Sequence, residues 1–341
     1  MIRFSQTPLS FQKGISLVEI MVALTITLVL TLGLASVYLG SKRSYVFQEN
    51  MSVIQENGRF AIEQIARDIR MAGYVSGECG TITDLNNIIR PNVIDEMTDE
   101  EKGFMQQFTN SGFISGTQNN GQDILRLTNW TRTDPGFYFG TNRYSAQNSR
   151  FFLDDHGYDV ETGDVILVTD CKGNGDLFKA SNVQEVGGNN QNRGTNVVHA
   201  GNYNIAPPKL EGDYTNGGYL MRFRDFSMTE YRVHNGNLQR RTSDGDWENL
   251  IDGVVALQAE YGIDSNGDGS VDIYDTANNL TGSTDWSQVI SIRVHLLLRG
   301  PDPNQVDEIQ TFMLSAPYNQ ASDRHLHQVM STTVGIRNRI P

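Results

Sequence analysis

The sequence predicts an α+β protein, with one long N-terminal helix whose first half spans a membrane and whose second half packs on an antiparallel β-sheet head. Three observations carry that expectation. Residues 15–39 are almost wholly apolar. Residues 40–75 keep apolar or small residues at helical spacing. From residue 76 the pattern changes to short apolar alternations split by Asn, Gly and Asp. The expected division is a leader over 1–14, a membrane half over 15–39, an amphipathic half over 40–75 and a β-rich head over 76–341.

The apolar run, ISLVEIMVALTITLVLTLGLASVYL from Ile15 to Leu39, has 25 residues. As a helix it is about 37 Å long, enough to cross a hydrocarbon core of about 30 Å. A secretory signal places small residues after its apolar region, where it is cleaved. Here the small residue comes first, in Gln12-Lys13-Gly14. Arg3 and Lys13 precede the span and Lys42 and Arg43 follow it, so flanking charge does not fix orientation. The large acidic C-terminal part and its two cysteines place the head outside the cytoplasm. Glu19 is the anomaly of the run. A carboxylate in the bilayer costs about 2.5–3.5 kcal/mol on insertion scales, so it needs a partner. A chain cut after Gly14 supplies one, because the α-amino group of Ile15 then lies about one helical turn away.

Beyond the span, Phe47, Met51, Ile54, Gly58, Ala61, Ile65, Ile69 and Ala72 recur at spacings of three and four. They define one helical face. Glu49, Glu56, Arg59, Glu63, Arg67 and Arg70 occupy the other, with Glu63 and Arg67 in the favourable i,i+4 order. Gly73 fits the helix end; Gly58, with Gly33 and Ala35, either weakens or kinks the helix locally or allows close packing, and the second reading is preferred. The result is one helix of nearly 60 residues, about 85 Å long.

In the head, residues 123–127, 164–169, 218–223, 229–233, 253–261 and 289–298 read as strands. Asn235-Gly236-Asn237 reads as a hairpin turn into 238–241. An antiparallel sheet packed on the second half of the helix is the economical fold. The only cysteines, Cys79 and Cys171, form a natural disulfide in an oxidising compartment. Closing that loop stabilises the head by about 4 kcal/mol on the chain-entropy argument.

The stretch Asp264–Asp275 is the best candidate for chemistry. Asp264, Asn266, Asp268, Asp272 and Asp275 fall at loop positions 1, 3, 5, 9 and 12. Gly269 stands at position 6, and Ser270 offers a backbone carbonyl at position 7. Hard oxygens on a tight turn suit Ca2+. The alternative is a Gly/Asn/Asp hairpin turn that needs no metal. Asp275 is shorter than the usual bidentate Glu, and the flanks read as strands. Asp170, Asn174 and Asp176 form a poorer echo. His325 and His327 read as a surface pair. No phosphate-binding loop, dinucleotide fingerprint, HExxH or GxSxG occurs, and enzyme activity is not expected. A net charge of −13 repels phosphate backbones, so the head is not expected to bind nucleic acid.

Lys13-Gly14 followed by Ile15-Ser16-Leu17-Val18-Glu19-Ile20 and an apolar span resembles the class III signal of type IV prepilins. The resemblance implies a cut between Gly14 and Ile15 by a prepilin peptidase, N-methylation of Ile15, and an assembly role for Glu19. Ile15 departs from the Phe usual there. Residues 66–74, Thr169-Asp170-Cys171 with Asp176-Leu177-Phe178, residues 260–264 with the loop after them, and Trp286 before the 290–298 strand resemble the PilW family of minor pilins. That implies a single-pass inner-membrane protein with a periplasmic head, which then enters the fibre beside other minor and major pilins. The implied role is in initiation or at the tip. A type II secretion pseudopilin and a calcium-dependent pilus-tip adhesin, using the loops near 116–121 and 187–194, stand as alternatives.

Overall fold

The computed structural model describes residues 14–73, 82, 84–87, 89–95, 97, 102, 105, 108, 113–119, 122–130, 136–146, 148–154, 159–187, 194–205, 210–243, 245–280 and 283–337. Helix α1 runs over Leu17–Met71, 55 residues, or about 83 Å. It ends as expected: Ala72 donates its N–H to Ile69 O, and Gly73 follows at φ 72°. That left-handed angle is open to glycine at no steric cost.

Seven of the strands are those the apolar runs predicted: β3 (Gln122–Trp130), β7 (Val165–Thr169), β11 (Gly218–Arg222), β12 (Phe226–His234), β13 (Asn237–Thr242), β15 (Val254–Ile263) and β17 (Val289–Arg299). The β12–β13 hairpin turns through Asn235 and Gly236, both at positive φ, as a two-residue hairpin turn demands. The other strands are β1 (Asp84–Asn87), β2 (Ile114–Asn119), β4 (Phe137–Phe139), β5 (Tyr144–Ser145), β6 (Arg150–Leu153), β8 (Asn174–Lys179), β9 (Asn182–Val186), β10 (Gly194–Val198), β14 (Glu248–Asp252), β16 (Ile273–Thr276) and β18 (His327–Gly335).

Where one sheet was expected, the described residues form four. Their strand orders are β16-β15-β17-β18, β14-β13-β12-β3-β2, β1-β8-β7-β11-β4 and β5-β6-β10-β9. Pairing is antiparallel except at β1–β8, which is parallel. Helix α1 packs on β17 and β18 and touches β14 and β3. The main core gathers Ile54, Ile65 and Ile69 of α1 with Leu257, Ile292, Val294 and Leu296 of the β15–β18 sheet. Each such side chain contributes about 1.5–3 kcal/mol by leaving water.

A second core lies between the other two sheets, around Phe139, Phe151, Phe178 and Tyr214. The wall between the cores is β7, β8 and β11. Leu167, Leu177 and Met221 face the main core, whereas Ile166, Val168, Phe178 and Leu220 face the second. Side chains alternate along a strand, so a wall buried on both faces needs an unbroken apolar run. Ile166-Leu167-Val168 is such a run.

Candidate functional site

The start of α1 is built by its own sequence. Gly14 and Ile15 are exposed and non-helical. Ser16 is the N-cap, its Oγ accepting the Glu19 N–H at 3.2 Å. Ser16 and Glu19 thus stand at the two ends of a capping-box pattern. The carboxylate also lies in the first turn, at the positive end of the helix dipole. The most apolar part of the helix is wholly exposed in the isolated chain. Four of its hydroxyls are satisfied without water. Thr25, Thr27 and Thr31 donate to the carbonyls of Met21, Ala23 and Thr27 at 2.7–2.8 Å, and Ser36 donates to Gly33 O at 2.8 Å. A span with its polar groups internally bonded is the kind hydrocarbon tolerates.

The second half of α1 is seated by polar anchors that spacing did not reveal. Buried residues recur at Asn50, Ile54, Gly58, Ala61, Ile65 and Ile69. Asn50 is fully buried. Its Nδ2 donates to Asp302 Oδ2 at 2.9 Å, and its Oδ1 accepts the Asp302 N–H at 3.0 Å. Phe47, expected inward, is exposed. Gly58 is the close-packing point: a Cβ there would press on Met330 Sδ and lie 3.2 Å from Leu298. Asp68 accepts the Tyr231 hydroxyl at 2.6 Å and faces Arg240 at 3.4 Å, which ties α1 to β12 and β13. Glu63 is bonded to Arg59, one turn back, at 2.9 Å.

The Asp/Asn loop joins β15 to β16 as a hairpin turn. Asp264 is mostly buried and accepts the N–H groups of Gly267, Asp268 and Gly269 at 2.7, 3.2 and 2.8 Å. Asp272 accepts from Ser265 and Asn266, and these bonds hold its carboxyl below the usual range. Asn266 accepts the Asp268 N–H, and Asp268 accepts the Ser270 N–H. Asp275 stands in β16 and accepts from Thr276 and Asn279. Gly267 and Gly269 both hold positive φ. Among the described residues, no three His, Cys, Asp or Glu side chains are gathered as a metal site.

Asp170 and Asp176 part company. Asp170 accepts from Lys172 and Asn174 in the β7–β8 turn. Asp176 is fully buried and accepts from Glu211 N, Gly212 N and the Tyr214 hydroxyl. Cys171 is half-buried in the same turn at φ 59°. Cys79 lies outside the described residues, and so do 1–13, 188–193 and 120–121. The reading of His325 and His327 as a surface pair is corrected for His327, which is buried at the start of β18. Its N–H donates to Gln310 Oε1 at 2.8 Å, which pins the long loop between β17 and β18.

Residues 226–338 match the PilW family, described as Type IV Pilus-assembly protein W. That match takes in β12 to β18. Residues 9–35 match the prokaryotic N-terminal methylation motif. A solved type IV-like pilin from Thermus thermophilus is similar at 13% identity, over 33% of this chain and 67% of that one, with a TM-score of 0.21. No curated protein matches the chain.

Proposed function

From a chain that carries a PilW domain behind an N-terminal methylation motif, we propose a minor pilin that takes part in type IV pilus assembly, in initiation or in the tip complex. The observation that carries this reading is α1 itself. Its first half exposes a continuous apolar surface with the hydroxyls of Thr25, Thr27, Thr31 and Ser36 bonded inward, and its second half is locked to the head. An apolar rod so exposed needs lipid first and other helices afterwards. In this reading the chain sits in the inner membrane as a single pass with a periplasmic head. A prepilin peptidase cuts between Gly14 and Ile15 and methylates Ile15. The new ammonium lies at the N-cap end of α1, within reach of Glu19 of the same or a neighbouring pilin. That pair sets the register in which helices stack. The role is structural, with no catalytic step.

The test joins mass spectrometry of the mature N-terminus to counts of surface pili. We expect a chain that begins with N-methylated Ile15, and a loss of pili and of twitching motility with Glu19→Ala. A chain recovered with residues 1–14 attached, or normal pili from Glu19→Ala, rejects the reading. A type II secretion pseudopilin would instead lose secretion while pili persist.

Ca2+ in the Asp264–Asp275 loop is part of the proposal. The ion would compete with the loop's own hydrogen bonds, so binding is weak, with Kd on the order of 10⁻⁴–10⁻³ M. The expected outcome is a rise of a few degrees in Tm at about tenfold excess over that Kd. Asp264→Asn abolishes it. An unchanged Tm removes calcium, and with it the calcium-dependent adhesin.

A further inference from the structure

We propose that the face of the β15–β18 sheet turned away from α1 binds a small neutral polyol, no larger than one sugar ring. A cavity of about 200 Å3 opens there. Stretches remote in sequence converge on it: Gln118 from β2, Glu260 from β15, Thr276 from β16, His295 from β17, and Met313 from the long loop after β17. The volume falls below the roughly 300–1,000 Å3 of sites for drug-sized ligands, which limits the occupant to a few heavy atoms or one ring.

The lining selects the chemistry. Glu260 lines the cavity, and its Oε2 is held by Arg293 Nη1 at 3.0 Å, so the carboxylate stands there as an acceptor already partnered by one cation. His295 Nδ1 is 2.6 Å from Ser331 Oγ, while its Nε2 stands 3.7 Å from Glu260, beyond hydrogen-bond range. Thr276 adds a hydroxyl and Gln118 an amide. Groups able to donate and groups able to accept thus line one small space. A ligand hydroxyl can serve both, because it donates once and accepts twice. An anion would meet the Glu260 carboxylate, and a cation would compete with Arg293 for it. Neutral hydroxyls escape both penalties.

The rim is built to be held yet reachable. Gln258 clamps the loop in both directions, its Nε2 donating to Ser315 O at 3.0 Å and its Oε1 accepting the Ser315 N–H at 2.9 Å. Met313, next to that clamp, is fully exposed. The site is independent of the assembly reading, since none of these residues lies on α1.

The experiment uses the full chain in dodecylphosphocholine micelles, which carry no sugar headgroup, with ¹³C-methyl methionine observed by NMR. The Met313 signal is assigned with Met313→Leu. Methyl α-D-glucopyranoside and methyl β-D-galactopyranoside are titrated to roughly 50 mM, with sodium acetate as the charged control. At least one glycoside is expected to shift the Met313 methyl saturably, with a Kd on the order of millimolar, while acetate does not. Thr276→Val and His295→Ala are each expected to weaken binding about tenfold with Tm unchanged. Silence toward both glycosides in the wild-type chain overturns the proposal. So does an equal response to acetate, or wild-type affinity in both variants.

Discussion

Asp123 shows what one buried group costs. It is almost fully buried; its Oδ2 accepts the Ala259 N–H at 2.6 Å and its Oδ1 has no partner. Burial pushes its carboxyl up to about 6. Still ionised at neutral pH, the group there costs the folded state on the order of 3 kcal/mol relative to the unfolded chain. Asp123→Asn keeps an oxygen for Ala259 and removes the charge. We expect it to stabilise the protein by about 1–2 kcal/mol at pH 7.5 in urea titrations. Gly58 is a second residue whose identity is constrained by its neighbours. Alanine gains about 1 kcal/mol of helix propensity but pushes against Met330, a flexible side chain. Gly58→Ala is expected to be close to neutral, whereas Gly58→Leu loses about 2–3 kcal/mol by overpacking against Leu298. Thermal melts of the two variants separate these outcomes.

At the scale of elements, the join between α1 and the head depends on a few polar contacts at its lower end. Asn50 closes a two-way bond with Asp302, and Gly300 approaches so closely that a side chain there would strike Asn50. Leucine at 50 keeps the volume but leaves the Asp302 N–H without its acceptor. A buried donor without a partner costs about 1–3 kcal/mol. Asn50→Leu is expected to raise amide exchange at Asp302 and its neighbours first, and to lower Tm by a few degrees. An exchange pattern unchanged over 300–306 would show that the loop is held elsewhere. Higher up, Tyr231→Phe removes the hydroxyl bonded to Asp68, and a double-mutant cycle with Asp68→Ala should give a coupling of about 1–2 kcal/mol.

For the whole molecule, two buried groups oppose each other in acid. His199 is fully buried against Tyr144, Phe151 and Phe178, and neither ring nitrogen has a partner. Burial holds its pKa down at about 4. The unfolded chain protonates it near 6.5, so stability falls as pH drops from 6.5 toward 4. Asp123 has the reverse sign. Its folded form takes up a proton near 6 and its unfolded form near 3.8, so stability rises as pH drops through that window. Each contribution is on the order of 3 kcal/mol. The wild-type protein is therefore expected to show a nearly flat stability profile between pH 6.5 and 4. Asp123→Asn should unmask a steep fall toward acid, and His199→Gln a rise. Parallel profiles for all three proteins would remove this account. The pairing of Cys79 with Cys171 that the sequence leads us to expect would also act on the whole head. We expect reduction to lower its stability by about 4 kcal/mol, seen as a drop in the urea midpoint that Cys171→Ser reproduces.

The sequence alone determined the long helix, its end at Gly73, the change from an all-apolar to a one-faced half, and the seven strands with unbroken or alternating apolar runs. It also located the Asn235-Gly236 turn and the Asp/Asn turn with Gly269. All of these follow from local periodicity and local backbone freedom, which neighbours along the chain set between themselves. Only the tertiary structure decided the rest. Asn50 is inward because Asp302, 252 residues away, completes its hydrogen bonds. Strand β18 reads as mixed polar residues, yet it covers α1 because β17 pairs with it along its whole length. The second core, the burial of His327 and the opposite shifts of Asp123 and His199 are likewise products of long-range packing. Period and propensity state which way a residue can face, but what stands opposite it is fixed by contacts between distant parts of the chain.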